Sequence, residues 1–198
     1  MKRTSLFGVA FSIWMAMHSV TFARDRSAFQ LAKEGDQYVG VQSKDRIVQI
    51  RSDKSVGSLT PFVWYVVYYD PNAALKAVEV KFNGDKMVDV QRPLRLLEPV
   101  TGGDLPLDRD KLKIDSDEAL RIASQEPALQ NLQLTAAKFK LERVGEGVLG
   151  RGPSEPVWKI ELWGATRSNP AKEAHLGEVW VSAADGKVVK DDLHFHGL

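Results

Sequence analysis

Glu155-Pro156-Val157-Trp158-Lys159-Ile160-Glu161-Leu162-Trp163 is the stretch that decides the fold, and residues 176–189 continue it after a polar loop. Apolar Trp158, Ile160 and Leu162 alternate with the other residues, which is the period of a β-strand with one apolar face. The continuation alternates in the same way and contains an Asp-Gly pair, a dipeptide typical of turns. The pattern therefore predicts two strands, a turn and a return strand.

A short helix is predicted upstream, over residues 116–126. Asp115 and Glu118 have the spacing of a capping box, and Pro127 stops the helix. Three small or apolar residues form a stripe that the sheet should cover: Ala119, Ile122 and Ala123. The acids at the start of the helix could instead bind a cation, but capping is favoured because no complete loop of oxygen ligands surrounds them.

The first half of the chain has the same order of patterns. It begins with a helical stretch at residues 26–34 and a β-rich stretch at 45–51, followed by an apolar run at 62–69 that predicts a strand covered on both faces. Asn83-Gly84-Asp85 then separates two alternating segments, a strong hairpin signal. In each half a Val-Trp strand follows the helix, and we expect Trp64 and Trp158 to point inward.

Pro93, Pro99 and Pro106 fall between the two repeats, in residues 93–113, which we assign as a linker. The predicted fold class is α+β. It consists of two small units, residues 24–92 and 114–198, each a short helix packed on an antiparallel β-sheet.

The second repeat resembles a PepSY domain over about residues 114–192. The features that carry the resemblance are the Glu118-Ala119-Leu120 helix with Ile122-Ala123, the strand at 156–160, and the hairpin from Val179-Trp180-Val181 through residues 184–189. Residues 26–92 resemble the family more weakly. The resemblance implies a helix on an antiparallel sheet, found in exported bacterial proteins and in propeptides of secreted peptidases, where it is proposed to bind or restrain proteases. It implies no catalytic residue.

The chain begins like a secretory signal. Lys2 and Arg3 precede an apolar run, and Thr21-Phe22-Ala23 offers small residues for cleavage after Ala23, although an uncleaved membrane anchor is the alternative. Loss of residues 1–23 would change the formal net charge from +1 to −1, so we expect neither nucleic acid nor membrane as a partner. The chain has no cysteine, which excludes disulfides and thiolate sites. We expect a periplasmic or secreted bacterial protein.

The sequence contains only weak matches to motifs for catalysis, cofactor binding or metal binding. Residues 145–150 fit G-x-G-x-x-G, but the prolines that follow prevent the helix that a dinucleotide site needs, so a flexible loop is expected. His194 and His196 are weak metal candidates, because two imidazoles do not complete a structural site. The aromatic run at 64–69 is assigned to core packing, and His175 to solvent. We therefore predict a protein that is not an enzyme and binds no cofactor.

Four residues are the candidates for partner contact, since they lie on or near the face that the helix should leave open: Lys159, Glu161, Trp163 and Trp180. The leading functional hypothesis is an exported PepSY-like binding or inhibitory protein whose partner is another exported protein, such as a peptidase. The alternative is a periplasmic protein that binds a metal or a small ligand, through the histidine tail or a cleft between the units.

Overall fold

The computed structural model describes residues 26–92, 106–145 and 154–195. Two α-helices lie in these ranges, α1 (Ala28–Gly35) and α2 (Ser116–Ala123), with 3₁₀ turns at Arg109–Lys111 and Pro127–Leu129. The strands are β1 (Ile47–Ser52), β2 (Val63–Tyr69), β3 (Ala77–Asn83), β4 (Lys86–Gln91), β5 (Leu132–Val144), β6 (Glu155–Thr166), β7 (Asn169–Ser182) and β8 (Val188–Leu193).

All of these strands belong to one antiparallel sheet. Its order is β4-β3-β2-β1-β5-β6-β7-β8, so β1 and β5 meet in the middle and the described strands of the two repeats lie on either side. The predicted fold class, two separate helix-on-sheet units, is therefore wrong. An unpaired β1 or β5 would leave a row of backbone donors and acceptors exposed, and pairing the two strands removes both edges at once.

The contact between β1 and β5, which we call the seam, has a short backbone register. It pairs Gln49 with Glu142, Ile50 with Leu141 and Arg51 with Lys140. Beyond this register, two serine hydroxyls accept hydrogen bonds from the backbone of β5. Ser52 Oγ accepts from Phe139 N and Ser55 Oγ accepts from Ala137 N, each at 2.9 Å. These side chains satisfy strand donors that would otherwise be buried without an acceptor.

The main hydrophobic core of the described residues extends across the seam and includes residues of both helices, and two small clusters lie apart from it. Trp64 and Trp158 are 3% and 0% exposed, so both indoles are buried, as expected from the sequence. Both rings contact Phe139, with ring centroids 5.5 Å and 6.1 Å away. Because Phe139 lies on the central strand β5, the aromatic contacts connect the cores of the two halves.

Two buried aromatic side chains of the sheet donate hydrogen bonds to the backbone of the helical segments. Tyr68 Oη donates to the Ala32 carbonyl in α1 at 2.9 Å, and Trp158 Nε1 donates to the Ile114 carbonyl just before α2 at 2.8 Å. Burial, reinforced by the nearby carboxylate of Asp36, raises the pKa of Tyr68 well above its ordinary value, so the phenol keeps its proton and remains a donor.

The local predictions agree with the structure in most places. α2 lies within its predicted segment, and α1 lies within its predicted segment except that it continues to Gly35. β3 and β4 form the predicted hairpin, with Gly84 at φ +61° in its turn. Asp115 caps α2, but the capping box is not closed, because Glu118 binds Arg121 instead.

Several predictions fall on residues outside the described ranges. They include the signal segment 1–23, most of the linker and most of the G-x-G-x-x-G loop, and the domain boundaries stay a prediction. Among the described residues no helix has the length and apolar character needed to cross a membrane.

Candidate functional site

A cavity of about 550 Å³ lies where the starts of α1 and α2 come together, and we call it the helix-start cavity. Residues from both halves of the chain line it: Arg26, Ser27, Gln30, Leu59, Thr60, Pro61, Trp64, Asp115, Ser116, Asp117, Leu120 and Phe139. A volume of this size falls within the range of small-molecule sites.

Asp115 lines the cavity and forms hydrogen bonds with the starts of both helices. Its Oδ1 accepts from Ser116 N at 2.7 Å, which caps α2, and from Phe29 N at 3.2 Å in the first turn of α1. Ser116 Oγ accepts from Ala28 N at 3.2 Å. The two helix starts are thus joined by side chains of α2 and its cap, since the first amides of a helix have no acceptor within the helix.

The cavity is also lined by apolar side chains, among them Trp64 and Phe139 with Leu59 and Leu120. Trp64 Nε1 donates to the Pro61 carbonyl at 3.1 Å, so its polar atom is already satisfied. The lining therefore combines polar and apolar side chains, a composition that suits a molecule with a polar group and a hydrophobic body.

The charges around the cavity are unequal. The lining contains two carboxylates, the half-buried Asp115 and the exposed Asp117, and one cation, Arg26, which forms an ion pair with Glu34. The sequence indicated Asp115 as a helix cap but gave no signal for the cavity, because its lining comes from four segments that are distant in the chain. A cleft between the halves was part of the alternative hypothesis, without residues assigned to it.

The predicted partner-contact residues lie elsewhere. Trp180 on β7 is only 6% exposed, and two ammonium groups cover its ring: Lys159 Nζ lies 4.3 Å and Lys190 Nζ 4.8 Å from the centroid. Lys159 also binds Glu142 at 2.7 Å. Each lysine therefore contacts the indole, a geometry in which cation–π attraction and the lysine stems shield the ring from water.

Trp163 is half-buried, between the His175 ring at 5.0 Å and Lys54 Nζ at 4.5 Å from its centroid. Glu161 lies next to it and binds Lys138 at 2.9 Å. Trp163 and Trp180 are not exposed together in solvent. Contact of these residues with a partner stays a prediction.

His194, one of the two histidine candidates, directly follows β8. His194 Nδ1 is 3.5 Å from an Asp192 carboxylate oxygen, and His196 lies outside the described residues. Within ranges 26–92, 106–145 and 154–195, no three His, Asp or Glu side chains are arranged to hold a metal ion. The structure therefore does not bring a metal site together in the described part of the chain.

No protein-family model, no curated protein and no solved structure matches this chain. The resemblance to PepSY domains therefore stays a prediction that rests on the residues quoted for it.

Proposed function

We propose that this chain is an exported, non-enzymatic binding protein that holds a small ligand in the helix-start cavity. The observation that supports this is the cavity itself: about 550 Å³, lined by both apolar and polar side chains, at the place where both halves of the chain contribute residues. Small-molecule sites are commonly concave and combine apolar side chains with polar groups that fix the orientation of the ligand, and this cavity has both.

The polar side chains of the lining support binding more than catalysis. Asp115 holds two backbone amides, Gln30 Oε1 accepts from Ser27 N at 3.1 Å, and Ser116 Oγ accepts from Ala28 N. Histidine and lysine, the usual partners of a serine nucleophile, are absent among the residues that line the cavity. We expect these groups to orient a ligand.

Export is part of the proposal and rests on the N-terminal sequence. A protein partner, such as a secreted peptidase, remains the alternative. In that case the contact would not depend on the cavity, and this difference separates the two hypotheses.

The test places one bulky side chain at the mouth of the cavity. Thr60 is exposed there, and Thr60→Trp should fill the cavity mouth. Val41→Trp is the matched control, because Val41 is 85% exposed beyond the other end of α1. Three small probes of similar size, benzylamine, benzyl alcohol and benzoate, are titrated against each purified protein, with the Trp64 indole N–H signal in the ¹⁵N NMR spectrum as the reporter.

We expect at least one probe to shift the Trp64 signal in the wild type and in Val41→Trp, and none to shift it in Thr60→Trp. A wild-type Trp64 signal that no probe moves would overturn the proposal. Retention of an envelope protein to the same extent by Thr60→Trp and Val41→Trp would favour the protein-partner alternative.

A further inference from the structure

We infer that the helix-start cavity receives a flat aromatic ring, which lies against Trp64 as the ring of Phe29 lies against Trp158. The inference rests on the proposed function, since it names the ligand class of the same cavity. The two halves of the described sheet repeat the same elements, and they differ in what surrounds these two indoles.

Trp64 and Trp158 occupy matching positions in the two halves. Outward from the antiparallel pair of β1 and β5, the strands follow in chain order on both sides, and an eight-residue helix precedes each series. Trp64 lies on the second strand of one series and Trp158 on the second strand of the other, and both rings contact Phe139. The two tryptophans are therefore equivalent positions of an internal repeat.

Two contacts fill the space around Trp158. Its Nε1 donates to the carbonyl of Ile114, the residue before the N-cap of α2, at 2.8 Å. Its ring stacks on Phe29, the second residue of α1, with the ring centroids 6.0 Å apart and the planes at 27°. One helix start therefore accepts the indole proton, and the other covers the indole with an aromatic ring.

The matching contacts are different at Trp64, where the cavity lies. Arg26 holds the position before the N-cap of α1, but the single indole N–H of Trp64 donates to the Pro61 carbonyl at 3.1 Å. The second residue of α2 is Asp117, where α1 has a phenylalanine. Arg26, Trp64 and Asp117 all line the cavity. By this correspondence, the cavity is the counterpart of the space that Phe29 fills beside the other indole.

An aromatic ring in the cavity would make the two halves alike. Aromatic rings attract one another in stacked and tilted arrangements, beyond the gain from burying their area. Trp64 already makes one such contact, with Phe139, at 5.5 Å and 40°. A flat ring on Trp64 would complete a row of three rings that corresponds to Phe139, Trp158 and Phe29.

The test compares benzyl alcohol with cyclohexylmethanol, which carries the same hydroxymethyl group on a saturated ring. The dissociation constant of benzyl alcohol comes from the shift of the Trp64 indole N–H signal, and that of cyclohexylmethanol from its competition with benzyl alcohol. We expect benzyl alcohol to bind roughly two- to tenfold more tightly, the range that aromatic pairing adds to burial. Burial alone predicts the opposite order, because the saturated ring has more apolar surface.

Asp117→Phe gives α2 the residue that α1 has at the matching position. We expect the new ring to lie against Trp64 and to displace benzyl alcohol, so that the Trp64 signal no longer shifts. Arg121→Phe is the matched control, because Arg121 is also an exposed charged residue of α2 but does not line the cavity. It should bind benzyl alcohol as the wild type does.

Equal binding of the two alcohols, or tighter binding of cyclohexylmethanol, would overturn the inference about the ring and leave the cavity as a ligand site. Undiminished binding of benzyl alcohol by Asp117→Phe would also overturn it, since the cavity would then not be the counterpart of the Phe29 position. Failure of every probe to shift Trp64 in the wild type would instead overturn the proposed function on which the inference rests.

Discussion

Asp115 is the residue whose replacement should have the widest effect, because one carboxylate caps α2 and also accepts from Phe29 N in α1. We predict that Asp115→Ala lowers the free energy of unfolding by about 1–3 kcal/mol, the loss of one cap plus one amide left without its acceptor. Urea unfolding followed by circular dichroism measures this change.

Asp115→Asn is the matched control. It keeps a side-chain oxygen in the capping position and removes the charge, and asparagine is an effective cap. We expect it to retain most of the stability that Asp115→Ala loses. If both variants lose the same amount, the carboxylate acts through its charge on the two helix starts and the hydrogen bonds contribute little.

The sequence predicts only one of the two roles of Asp115, the capping of α2. Its position before an apolar stripe predicts a cap on α2, because N-caps depend on the residues that immediately follow. Its bond to Phe29, 86 positions away, depends on how the two helices are placed on the sheet. Neither spacing nor composition carries that information, so the cavity between the helix starts could not be predicted either.

At the scale of a strand, Glu142 on β5 is the group that connects the seam to its neighbours. It binds Lys159 at 2.7 Å, Lys140 at 3.0 Å and the Gln49 amide at 3.1 Å. Burial opposes ionisation of this carboxyl, but the hydrogen bonds and charges of Lys159 and Lys140 outweigh burial and hold its pKa below its usual value.

A pKa that is lower in the folded state means that the stability contributed by Glu142 is present above the ordinary value of 4.5 and is lost as the pH falls through the depressed value. We predict that Glu142→Gln costs about 1 kcal/mol at pH 7 and that its difference from the wild type shrinks as the pH falls below 4.5. Urea unfolding of both proteins across this pH range measures the difference.

Replacement of Lys140 and Lys159 tests whether these lysines cause the stabilisation by Glu142. In a Lys140→Met, Lys159→Met background, Glu142→Gln should cost less at pH 7, and a double-mutant cycle gives the coupling. An unchanged cost in that background would show that the lysines do not set the contribution of Glu142.

Strand positions were largely predictable, but strand partners across the seam were not. Alternating residues and the Gly84 turn predict the β3–β4 hairpin, because partners joined by a short turn are specified locally. The pairing of β1 with β5 joins segments about 90 positions apart along the numbering, through a three-residue register and two serine hydroxyls. Ser52 and Ser55 have no sequence pattern that distinguishes them from loop serines.

For the whole molecule, the repeated order of helix and strands led to the expectation of two separate units, and the structure corrects it. A repeat in sequence specifies similar local structure, but it does not say whether the copies stay apart or share a sheet. The buried aromatic contacts connect the two copies in one core, since Phe139 contacts Trp64 from one half and Trp158 from the other. Units with separate cores could not make both contacts.

The shared core has a consequence for unfolding. We predict that Trp64 and Trp158, one in each half, lose their folded indole N–H signals at the same urea concentration, because neither half can lose its packing without exposing Phe139.

Ser52→Ala with Ser55→Ala removes two hydroxyl acceptors from the seam and should lower the unfolding free energy by about 1–3 kcal/mol. If the seam is part of one cooperative structure, both indole signals shift to lower urea together. Two midpoints in the wild type, or a shift of only one signal in the double variant, would show that the halves unfold separately although they share a sheet.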